Sequence, residues 1–137
     1  MRHTARMRAP GVREQLRKRL YIAAHQEVMA TITALPGPVR THARSLPVLY
    51  EMTPKPSDAR VGILPDTLGL FTGESLADGH DGMAVGPTSI MLYMENIWEY
   101  AGHDAGIFRE EIRRTYLHEL GHYLGLDEDG LAERDLD

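Results

Sequence analysis

Val12, Leu16, Leu20, Ala24, Val28 and Ile32 recur at intervals of four, which lays one apolar stripe along a predicted helix from about residue 12 to 34. Leu35, Pro36, Gly37 and Pro38 stop it, since a proline disfavours helix in the residue before it and glycine relaxes the turn. His25 and Met29 on this helix read as packing or surface residues. A short helical turn is predicted at Val39 to Ala43. A strand then follows from Leu46 to Met52, with Val48, Tyr50 and Met52 on one face and Pro54 and Pro56 beyond its end.

From there to Pro87, glycines and Pro65 break every apolar run, so that only short strands are expected, at Val61 to Leu64 and Gly69 to Thr72. An irregular stretch of this length in a small domain is usually a functional loop or a mobile one. Ser89 to Met94 is nearly continuous in apolar residues and bounded by turn signals. That pattern fits a strand covered on both faces, or an edge strand that receives a ligand. A helical turn at Glu95 to Ala101 and a break at Gly102 and Gly106 lead into a final helix, about Ala105 to Leu124. Ile107, Phe108, Ile112, Tyr116, Leu117, Leu120 and Leu124 give that helix a broad buried face.

The length of 137 residues fits one domain, and a hydrophobic fraction of 42% with 26% charged residues is that of a folded chain. With no cysteine, a metal would have to be held by His, Asp or Glu. No apolar run approaches the roughly 20 residues that span a bilayer, and none follows the basic start; no membrane role and a cytoplasmic location are therefore expected. Seven of the fifteen Lys and Arg fall in residues 1–20 beside one acid, Glu14. Residues 1–11 are read as a basic arm and 12–137 as a single domain. No aromatics interleave with the arginines, so nucleic acid is not an expected partner.

The chemistry is concentrated in residues 118–128, HELGHYLGLDE. On a helix His118 and His122 lie about 40° apart on one face, so both imidazoles can meet one ion, while Glu119 projects beside them. This is the H-E-x-x-H arrangement, in which zinc acidifies a bound water and the glutamate takes its proton as it attacks a carbonyl. The five-residue pattern alone would arise by chance in roughly a few chains per hundred of this composition. Gly125, three residues after the second histidine, can take the left-handed conformation that turns the chain back toward the ion. Glu128, six residues after His122, then has the spacing of a third ligand, with Asp127 as the alternative.

These residues resemble the zincin metallopeptidases, matching H-E-x-x-H-x-x-G-x-x-acid, and in size and layout the minimal bacterial zincin-like domains. The similarity runs from about Leu16 to the C-terminus, with RRTYLHELGHYLGLDE as its specific block. It implies a small α/β (α+β) domain, a few helices packed on a small mixed sheet with the active helix near the C-terminus. It also implies one Zn2+ per chain on His118, His122 and Glu128, with Glu119 as general base in peptide-bond hydrolysis. A peptide or protein substrate would lie extended along an edge strand, a place that Ser89, Ile90, Met91, Leu92 and Tyr93 would fill. Two departures separate the chain from the larger metzincins: an acid of the Glu type stands as third ligand, and no methionine follows Met94. Tyr93, His103 and Tyr116 are candidate oxyanion donors. The alternative reading is a non-catalytic, zinc-stabilised binding domain.

Overall fold

The computed structural model describes residues 11–76 and 88–125. Helix α1 spans Val12–Thr33, and its stripe packs as the period-four pattern requires, with Leu20, Ala24, Val28 and Ile32 buried. The stripe fades toward the N-terminus: Leu16 is partly buried and Val12 is 85% exposed, since the first turns project beyond the core. There Arg13 instead donates to both carboxylate oxygens of Glu95, at 2.6 and 2.7 Å.

Helix α2 covers Gly37–Ser45, longer than the turn expected, with Pro38 in its first turn where a missing N–H costs nothing. Strand β1 is Val48–Glu51. The expected strand at Val61 to Leu64 does not form. Pro56–Val61 is a 3-10 helix, Gly62 closes it in the left-handed region at φ 86°, and Val61 and Leu64 stay exposed. The segment's proline and glycine thus outweigh its few apolar residues. Strand β2, Gly69–Thr72, has the expected bounds.

Strand β3, Ser89–Tyr93, is the centre of the sheet, whose order is β1-β3-β2. It pairs in parallel with β1 and antiparallel with β2, which makes the sheet mixed. This corrects the edge-strand expectation for Ser89, Ile90, Met91, Leu92 and Tyr93. With a ladder on each side, their peptide groups are committed within the sheet, and a substrate cannot add to them. The apolar run reflects burial: Ser89, Ile90, Leu92 and Tyr93 are all buried, on both faces of the strand.

Helix α3, Met94–Tyr100, follows directly. Asn96 donates to the carbonyls of Pro65 and Thr67 and so holds the chain leading into β2. Helix α4, Ala105–Tyr123, starts at Asp104, whose carboxylate accepts from Ile107 N–H at 2.8 Å, a side-chain N-cap. It packs against β2, β3, α1 and α3. Along the helix-facing row of the sheet, Tyr50, Leu92 and Gly69 are register partners of decreasing size. That taper brings α4 closest to the sheet at β2. A Cβ on Gly69 would fall 2.5 Å from Thr115 Cγ2, so the close crossing requires glycine there. The molecule is a small α+β domain, helices on a small mixed sheet with a long C-terminal helix. Among the described residues no helix is long and apolar enough to cross a membrane.

Candidate active site

The last two turns of α4 carry the candidate residues of the H-E-x-x-H pattern. Its inner face buries Phe108, Ile112, Tyr116, Leu117 and Leu120, which fixes the rotation of the helix. His118, Glu119 and His122 are consequently held half-buried at the margin of the core. The Nε2 atoms of His118 and His122 converge to 3.1 Å, with ring centroids 4.7 Å apart and planes nearly perpendicular. Two zinc-nitrogen bonds of about 2.0–2.1 Å at a tetrahedral angle would separate the two nitrogens by about 3.3 Å. The imidazole pair therefore already spans the bite of one zinc ion.

Helix α4 ends as the glycine signal predicts. Gly125 has φ 80°, in the left-handed region, and its N–H bonds the carbonyl of His122 at 3.0 Å. Asp127 and Glu128 lie outside the described residues, among which no group of three His, Asp or Glu side chains converges. On the other side the chain after β2 is tied to the helix end, Leu76 N–H donating to the carbonyl of Tyr123 at 2.8 Å.

A cavity of about 310 Å³ opens beside His118 and Glu119, completed by Leu68, Gly69, Tyr100, Glu111, Arg114 and Thr115. Glu111, Thr115, His118 and His122 follow one stripe of α4 at helical spacing, so the polar side of the helix faces this opening. The side chain of Glu111 is 12% exposed and lies 3.5 Å from the guanidinium of the more open Arg114. Of the cavity residues, sequence reasoning missed Glu111, Arg114 and Thr115. Their signal was their spacing, one and two turns upstream of His118. Leu68 and Gly69 come from a different element and carried no such signal.

The candidate oxyanion donors fare differently. Tyr116 is fully buried, its hydroxyl has no hydrogen-bond partner among the described residues, and burial pushes its pKa well above the usual tyrosine value. His103, stacked on Trp98 and 2.8 Å from Glu99, precedes the N-cap of α4, whose first residue, Ala105, lies about 20 Å from His118 by rise per residue. Tyr93 is buried at the end of β3, its pKa raised by burial and by nearby Asp58 and Glu51. None of the three lines the cavity beside Glu119.

Residues 43–137 match the family described as zincin-like metallopeptidase. The match covers more than half of the chain, and the protein belongs to the zincin-like metallopeptidase family. No curated protein matches it.

Proposed function

We propose that the protein is a zinc-dependent peptidase that hydrolyses peptide bonds with Glu119 as general base. The observation that carries this reading is the 3.1 Å convergence of His118 and His122 Nε2 beside an open cavity that His118 and Glu119 line. Zinc held by His118, His122 and Glu128, or Asp127 in its place, would supply a Lewis acid that polarises the scissile carbonyl and acidifies water. The half-buried Glu119 carboxylate takes the proton of the attacking water and returns it to the leaving amine. A structural zinc site is closed by protein ligands, whereas a cavity of about 310 Å³ adjoins this one, which favours catalysis over the purely structural alternative.

The substrate strand moves to β2. Tyr93 N–H bonds the carbonyl of Leu68 at 2.9 Å, so in the antiparallel ladder the peptide groups of Leu68 and Leu70 point to β3. Those of Gly69 and Phe71 then point away from the sheet, and Gly69 itself lines the cavity. An extended peptide laid along that edge runs past Glu119, with main-chain hydrogen bonds giving affinity.

The test is metal content by elemental analysis of tag-free protein, alongside Glu128→Ala and Asp127→Ala variants. About one zinc per chain, lost chiefly in the Glu128 variant, is the expected result. A chain that takes up no zinc even when it is supplied would end the enzymatic reading.

A further inference from the structure

The sheet has a second edge, at β1, on the far side from the cavity of α4. Ile90 N–H bonds the carbonyl of Pro47 at 2.9 Å, and in a parallel ladder with Val48 opposite Ile90 this turns Leu49 toward β3. The N–H and C=O groups of Val48 and Tyr50 therefore face outward. No backbone hydrogen bond reaches them among the described residues. Their side chains point to the helix side, where β1, α1 and the end of α2 enclose a pocket of about 260 Å³.

The chemistry of this pocket is graded along its length. Val28, Ile32 and Leu46 make it apolar within. Tyr21 and Tyr50 meet edge to face at 5.1 Å and form its aromatic side, with the Tyr50 hydroxyl 3.5 Å from His25 Nδ1. Burial, with a smaller effect from Tyr21, pushes the Tyr50 pKa up to about 12, so this hydroxyl stays a proton donor at neutral pH. Arg44, in the last turn of α2, stands at the rim next to the start of β1. It is exposed and takes part in no ion pair or hydrogen bond among the described residues.

We propose that this groove binds the C-terminus of a peptide or protein, its last side chain apolar and in the pocket, its carboxylate on Arg44, its backbone paired with β1. The position of Arg44 fixes the direction. A peptide running antiparallel to β1 ends beside the strand's first residues, where the guanidinium waits. Period-two alternation then sends the terminal side chain toward Val28 and Ile32 while its neighbour faces solvent. A free carboxylate matches the guanidinium in charge and in bidentate geometry. The groove is built from β1, α1 and α2, so it stands whether or not the peptidase reading does.

The experiment measures fluorescence anisotropy of a labelled serine-alanine hexapeptide ending in leucine, with a free carboxylate or a C-terminal amide. The protein is the full chain carrying Glu119→Gln, which keeps the peptide intact. The acid should bind at least about tenfold more tightly than the amide, and Arg44→Ala should remove that difference, as expected for a lost charged hydrogen bond. Val48→Pro, which deletes an outward N–H and trims one side chain of the pocket wall, should weaken binding by about threefold to tenfold. Equal binding of acid and amide, or full affinity in Arg44→Ala, would overturn the proposal. So would octanoate binding as tightly as the peptide with Val48→Pro indifferent, since the site would then take a small amphiphile.

Discussion

Helices α1 and α4 are of similar length and pack against each other, yet only one carries the candidate site. In α1 the buried residues form a narrow stripe, Leu20, Ala24, Val28 and Ile32 with Thr31 at its end, and Tyr21, Ile22 and Met29 beside it are open to solvent. In α4 burial reaches around the helix, taking in Thr115 and Gly121 as well as the apolar residues. Its polar stripe is thereby carried into the protein's margin, where Glu111, His118, Glu119 and His122 are only partly exposed. Polar groups held there lose rotamer freedom and water in advance of any ligand. The same side chains on α1 would be a solvated face.

Glu119→Gln should break the contrast at its functional end. The variant should keep its fold and its zinc and lose about 10²- to 10⁴-fold in peptide hydrolysis, measured as kcat/KM with zinc content as control. Unchanged turnover in a zinc-loaded variant would sink the mechanism. A pair of truncations then compares the two helices by stability. Ile112→Ala, at a fully buried site of α4, should cost about 2–5 kcal/mol in denaturant unfolding. Met29→Ala, at a site of α1 that is 46% exposed, should stay within about 0.5 kcal/mol of the parent.

How much of this was legible in the chain follows from the range of the interactions. The helices and β2 could be read because caps, prolines and apolar spacing act within a turn or two, and so could the left-handed Gly125. The central place of β3 could not. A buried apolar run looks the same whether one or both of its edges are paired, and pairing partners lie far away in sequence. The site divides in the same way. His118, Glu119 and His122 were visible as a local motif, whereas Leu68 and Gly69 join them only through the sheet.

Gly69 is the point at which that long-range part can be probed. Its α-carbon faces Thr115 so closely that Gly69→Ala must push β2 or α4 aside, at an expected cost of about 1–3 kcal/mol. Because the same crossing shapes the cavity beside His118, hydrolysis should fall along with stability. Full stability in that variant would show that β2 and α4 have room to spare, and the taper from Tyr50 to Gly69 would lose its meaning.

One further effect has the opposite sign and tests how completely α4 is enclosed. Among the described residues Tyr116 is the largest fully buried side chain, and its hydroxyl has no hydrogen-bond partner. A buried hydroxyl without a partner costs about 1–3 kcal/mol relative to one that stays hydrated, and deleting it with the ring kept removes that penalty and leaves only a small void. Tyr116→Phe should therefore be neutral or stabilise by up to about 1 kcal/mol, seen as a raised denaturant midpoint at unchanged m-value. A loss of 1 kcal/mol or more, on the order of a typical hydrogen bond, would mean that the hydroxyl has a partner after all. The inner face of α4 would then be polar at that point, whereas the one buried polar residue of α1, Thr31, only returns its hydroxyl to the carbonyl of Glu27, and the contrast between the helices would extend through the core as well as along the surface.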